Sequence, residues 1–216
     1  MFGKRLCGLC IGAVAITAAL TLATAAPAAA GTQVGETFDP TIVGGSGVTY
    51  LQVASPGGQY TVPFTGVITS WSFQAPATTV PSLKFKVGRH VAGNDFMIVG
   101  SDGPRDPVAG MLNTFPVTIP VQAGDVIGDF RASSGAVQRP AGFDYLVQTM
   151  LGDPAPGATP TFDAASMGTQ LDLSANLEPL APTPTGQRAA ALKKCKKKHS
   201  RKKRKKCRKK ALLLPV

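Results

Sequence analysis

The chain has 216 residues with 24 Gly and 18 Pro, a composition that suits short strands joined by many turns and disfavours long helices. Its formal charge of +11 averages two opposite regions: residues 188–210 hold 15 of the 23 Lys and Arg and no acid, whereas residues 31–187 set six basic residues against all 12 acids, a net of −6. Residues 31–187 contain no cysteine and a single histidine, which excludes thiol catalysis there and leaves no His/Cys cluster for zinc.

Residues 1–30 follow the order of an export signal. Lys4 and Arg5 give a positive start, Leu6 to Ala23 is apolar, and Ala28-Ala29-Ala30 offers an A-x-A cleavage site before Gly31. An uncleaved anchor is the alternative, because the run is about as long as the minimum membrane span. Its Ala, Gly and Thr content and the small residues that follow favour cleavage. Cys7 and Cys10 sit too early in the run for a lipid-modified cysteine. The expectation is a secreted or extracellular protein, cell-wall association included.

Residues 31–178 alternate with a period of two in several places, the habit of antiparallel sheets with one face in a core and one in water. Leu83, Phe85 and Val87 alternate with Ser82, Lys84 and Lys86. Val67, Trp71 and Phe73 share one face opposite Ser70, Ser72 and Gln74. Val117, Ile119 and Val121 repeat the pattern, and Leu171, Leu173, Ala175 and Leu177 do so against Gln170, Asp172, Ser174 and Asn176. About nine strands are predicted, near 48–54, 59–64, 66–75, 81–91, 95–100, 111–121, 125–132, 144–151 and 170–178. Turn signals such as Pro56-Gly57-Gly58 and Asp102-Gly103-Pro104 separate them. The fold expected is all-β: an antiparallel β-sandwich, with a jelly roll as one form of it, between an N-terminal signal helix and a disordered basic C-terminal tail. The Pro/Ala/Gly-rich segment 152–168 reads as a long surface loop.

The stretch Phe115 to Gly128 resembles a pattern of secreted β-sandwich proteins, in which a strand ends in a Gly-Asp turn (Gly124-Asp125) and the next opens with apolar-Ile-Gly (Val126-Ile127-Gly128). Over residues 36–210 the layout is similar to small, mostly uncharacterised exported proteins of high-GC Gram-positive bacteria, which join a β-sandwich to a Lys/Arg-rich tail containing cysteines. That resemblance implies a cell-surface or extracellular setting and brings no catalytic residue with it.

Residues 179–187 form a Pro/Thr linker, extended and semi-stiff, before the tail at 188–216. The polyanion-binding candidates are Lys193, Lys194, Lys196, Lys197, Lys198, Arg201, Lys202, Lys203, Arg204, Lys205, Lys206, Arg208, Lys209 and Lys210. Closely spaced cations displace the counterions of a polyanion, so binding should weaken steeply with salt. No aromatic residue lies between 188 and 210, so base stacking and sequence readout are not expected. Wall polymers, anionic lipid or extracellular DNA are the partners this implies; a solvated arm is the alternative. Cys195 and Cys207 are the only cysteines after the signal, and an oxidising compartment pairs them. One continuous helix would hold their Cα atoms about 18 Å apart, whereas a disulfide needs about 7 Å or less. A bridged, non-helical basic loop is therefore expected.

Catalytic signals are weak. His90 closes a predicted strand and reads as a surface residue, and Ser46 in Gly44-Gly45-Ser46-Gly47 lacks the second glycine of a nucleophile elbow. Asp95, Asp102 and Asp106 sit near a turn, where Ca²⁺ ligation competes with the commoner role of Asp in turns. Asp125 and Asp129 point to one face and read as turn and solvent-face residues. Trp71, Tyr50, Tyr60 and Tyr145 are the aromatic side chains a sugar platform would use, with core packing the better reading for Trp71. The reading reached is a non-enzymatic exported protein with no cofactor or metal. A carbohydrate-binding module or weak glycan hydrolase, and a structural, adhesin-like subunit, are the alternatives.

Overall fold

The computed structural model describes residues 31–180 and 186–214. The expected signal, most of the linker and the last two residues lie outside the described residues. The body is all-β. Its strands are β1 (Thr32–Glu36), β2 (Ile42–Gly44), β3 (Val48–Ala54), β4 (Gly66–Gln74), β5 (Leu83–Ala92), β6 (Asp95–Arg105), β7 (Leu112–Val121), β8 (Val126–Arg131), β9 (Gly135–Pro140), β10 (Leu146–Leu151), β11 (Ala164–Met167), β12 (Thr169–Leu171) and β13 (Leu173–Pro179). The pairings are antiparallel and form three sheets, ordered β1-β13-β4-β7, β11-β10-β3-β8-β5-β6 and β12-β9-β2.

Side chains of the four-stranded and six-stranded sheets meet in one core. Trp71 of β4 stacks on Phe85 of β5 with ring centroids 5.6 Å apart and planes at 11°. Ile68, Phe73, Val87, Ile127, Val147, Leu173 and Leu177 surround them, all buried. The outer face of the six-stranded sheet is covered too: Leu51, Phe96, Ile98 and Val126 pack with Phe162. Phe162 belongs to the segment expected as a loose surface loop. That segment is anchored by backbone bonds from Ile98 N–H to the Ala158 carbonyl (2.9 Å) and from Phe162 N–H to the Asn94 carbonyl (2.9 Å), and its end forms β11.

Several expectations are corrected. The strand at 59–64 does not form; a single 3-10 turn at Pro56–Gly58 leads to one bridge between Thr61 and Val126, and the core takes Tyr60 and Val62 from irregular backbone. In β4 the pairing register shifts between Ile68 and Ser70, so Ile68 rather than Val67 joins Trp71 and Phe73 in the core. A bulge adds one residue and changes the phase of alternation, which a fixed period of two cannot anticipate. The strand at 170–178 is two strands in different sheets, β12 and β13, separated at Asp172. Gln170, Asp172 and Ser174 are consequently buried rather than facing water. The short strands β1, β2 and β9 were not anticipated; Gly35 and Gly44 lie in the first two, and β9 starts on Gly135.

Candidate functional site

The body and the tail treat positive charge differently. Each of the six body cations has a carboxylate partner. Lys84 and Lys86 share Asp153, Arg89 grips Asp125 (2.7 Å), Arg105 forks onto Asp102 (2.9 Å), Arg131 meets Asp129 (2.8 Å) and Arg139 reaches Glu36 (3.2 Å). Lys86, expected on a wet face, is buried beneath the 152–163 segment and also donates to the Pro154 carbonyl at 2.9 Å. Burial lowers its pKa, opposed by Asp153. Asp125 and Asp129 are likewise buried rather than solvent-facing.

The Arg131–Asp129 pair is the most desolvated. Arg131 is 0% exposed and its guanidinium lies 3.5 Å from the centre of the Tyr50 ring, a cation–π contact. Gly44 lets it fit, because a Cβ there would collide with Arg131 Nη1. Burial pushes Asp129 up and Arg131 pulls it back, with burial prevailing. Asp172 is buried at the corner between β12 and β13, where its Oδ1 accepts the Phe38 N–H at 2.9 Å. Burial, opposed by that bond, raises its pKa from 3.8 to about 8.

The residues weighed for chemistry do not converge. His90 is exposed, and its Nε2 bonds the Gly93 carbonyl at 3.0 Å. Asp102 is committed to Arg105 and to Trp71 Nε1 (2.8 Å), while Asp95 accepts from Thr161 Oγ1 (2.6 Å). Among the described residues no group of three or more His, Cys, Asp or Glu is placed to hold a metal ion. Trp71 and Tyr60 are fully buried, and Tyr50 lies under Arg131, so these rings are unavailable to stack on a sugar.

The tail is helical, contrary to the disordered, non-helical loop expected. Helix α1 (Gln187–Lys196) reads Gln-Arg-Ala-Ala-Ala-Leu-Lys-Lys-Cys-Lys and α2 (Arg201–Ala211) reads Arg-Lys-Lys-Arg-Lys-Lys-Cys-Arg-Lys-Lys-Ala, all but the cysteines strong helix formers. Lys193, Lys194 and Lys196 occupy the last turn of α1 and Arg208, Lys209 and Lys210 that of α2, where cations suit the helix dipole. Between the helices, Lys197 to Ser200 break the chain, and Ser200 adopts an extended conformation ahead of α2. This break reconciles bridge and helix: Cys195 and Cys207 form a disulfide with Cα atoms 5.5 Å apart. One continuous rod would hold the cysteines apart, whereas two short helices folded back satisfy both demands. Arg188 Nε donates to the Leu214 carbonyl at 2.9 Å and closes the open end of the hairpin.

Helical periodicity sorts the α2 cations other than Lys202 into two stripes. Arg201, Arg204, Lys205, Arg208 and Lys209 line one side together with Leu212. Lys203, Lys206 and Lys210 face a groove of about 480 Å³ shared with α1, floored by Ala191, Ala211 and the disulfide. The signal for this lay in the Lys/Arg/Ala composition; what was missed is the four-residue turn. Among the described residues no carboxylate pairs with any tail cation, and no helix is long and apolar enough to cross a membrane. No family model matches this chain, and neither the curated proteins nor the solved structures contain a significant match to it.

Proposed function

We propose that the chain is an exported, non-enzymatic protein whose basic hairpin holds an acidic β body against anionic material by electrostatics. We read the body as a β-sandwich, because Trp71 and Phe85 bring two sheets onto one core. We read residues 1–30 as a cleaved export signal from their charge and apolar order. The setting is the cell surface or the extracellular space, as in the exported Gram-positive proteins that the layout resembles.

The observation that carries this reading is the segregation of charge. Every body cation is paired with a body carboxylate, while 15 tail cations within 188–210 have no acid among them. Such a block favours a polyanion that replaces the missing counter-charge. The sugar-binding and hydrolase alternatives are less well supported, since Trp71 and Tyr60 lie in the core, Tyr50 is covered by Arg131 and the Tyr145 hydroxyl is bonded to Gln59. An adhesin-like role is disfavoured at one sheet edge, where Pro116 and Pro120 on β7 remove backbone donors.

Cell fractionation tests the proposal. Protein recovered from its host should move from the envelope to the soluble fraction as salt is raised, and removal of residues 188–216 should release it at low salt. An unchanged distribution after that deletion overturns the reading.

A further inference from the structure

We infer that the polyanion met by the hairpin is a bilayer containing anionic phospholipid, an inference that rests on the polyanion-binding reading and selects among its partners. Electrostatics alone would not distinguish lipid from a wall polymer or DNA. The apolar part of the hairpin does. Directly after α2 the chain carries Leu212, Leu213 and Leu214, exposed by 55%, 85% and 37%. Leu212 continues the arginine-rich stripe by helical spacing, four residues beyond Arg208. Leu214 continues the other stripe and closes the groove whose floor is Ala191, Ala211 and the disulfide.

Apolar groups are thus continuous with cations on both sides of α2. A wall polymer or a DNA backbone offers anionic oxygens but nothing to cover three leucines. A bilayer offers both, as phosphate at the height of the cations and acyl chain below them. Arg201, Arg204 and Arg208 suit phosphate because each guanidinium can donate two parallel hydrogen bonds. The pairing of a polybasic face with inserted leucines is the two-part attachment that stable peripheral binding requires, since neither part suffices alone. The groove takes acyl chain between its lysines, with Lys203, Lys206 and Lys210 at the headgroups. The disulfide keeps α1 and α2 folded together, so the cations and leucines move as one body.

The test compares native protein, disulfide intact, with its Leu212→Ser/Leu213→Ser/Leu214→Ser variant. Binding is measured on vesicles of phosphatidylcholine with phosphatidylglycerol, on pure phosphatidylcholine, and on soluble polyphosphate. These leucines are exposed, so the variant keeps its fold, which circular dichroism checks. The expected result is preference for the anionic vesicles, a loss of about tenfold or more in the variant, and unchanged polyphosphate binding. A Leu213→Trp variant should shift its emission to the blue on anionic vesicles only. Equal vesicle binding by native and leucine-free protein overturns the lipid inference while leaving the polyanion reading intact. Failure to bind either anionic vesicles or polyphosphate overturns both.

Discussion

The body and the hairpin of this protein use cations in opposite ways. In the body each basic side chain has one assigned carboxylate, and two of them, Lys86 and Arg131, are 1% and 0% exposed. In the hairpin the cations, all but the half-buried Arg188, are exposed, and they are numerous and without acidic partners among the described residues. A desolvated charge depends on its partner and its geometry, whereas a solvated array depends on number and spacing. Substitutions in the body should therefore cost stability, and substitutions in the hairpin should cost binding.

The largest expected effect concerns a buried body charge. Folded Asp172 keeps its proton up to about pH 8, while the ordinary value is 3.8. Between those values the folded state binds more protons than the unfolded one, so this contribution to stability is full below about pH 4 and is lost as pH rises to 8. At about 1.4 kcal/mol per unit the loss is on the order of 6 kcal/mol. Urea titrations across that range should record it, Asp172→Asn should flatten the profile, and removal of residues 188–216 should leave the profile as it is. A pH-independent native protein would refute the assignment.

Next comes the Arg131–Asp129 pair. Asp129→Asn leaves a guanidinium buried without a carboxylate and should cost about 3–5 kcal/mol. The double change Asp129→Leu/Arg131→Met should recover most of that loss, because a buried pair can be replaced by apolar side chains. If both variants unfold at the same denaturant concentration, the pair is not acting as a unit. Neither change should alter binding to anionic vesicles.

The hairpin is expected to depend on its bridge by about 3 kcal/mol, the chain-entropy value for a closed loop of this size. Two helices of 10 and 11 residues are too short to persist alone in water, more so with like charges on neighbouring turns. Cys195→Ser/Cys207→Ser should lower the helical signal at 222 nm and leave thermal unfolding of the body unchanged. Loss of body stability would show that the two regions are coupled.

The smallest effect belongs to a single hairpin cation. Arg204→Gln should weaken vesicle binding by about fivefold, the equivalent of about 1 kcal/mol per charge near an anionic surface, with no change in unfolding. A much larger loss would mean that Arg204 has a specific partner and that the array is not interchangeable.

Much of the fold was readable where chemistry is local. The strands β3, β7 and β10 lie close to where alternation and turn signals place them. What alternation could not convey is its own interruption. The phase change in β4 and the separation of β12 from β13 come from bulging and from a change of sheet, and both depend on strands distant in sequence. The same holds for Lys86. A lysine at a polar phase reads as solvated until a segment nearly 70 residues later supplies Asp153 to cover it. The hairpin differs again: composition predicts helix and cysteine count predicts a bridge, and their joint solution needs a turn at Lys197 to Ser200 that neither signal marks.

The amino-acid sequence by itself determined the separation of charge, the pairing of two cysteines and the all-β character of the body, because each follows from composition or from a repeat over a few residues. Only the tertiary structure decided which polar side chains are desolvated. That property belongs to no residue alone; it arises when Asp172, Asp129, Arg131 and Lys86 are enclosed by strands and loops that the chain brings back from far away.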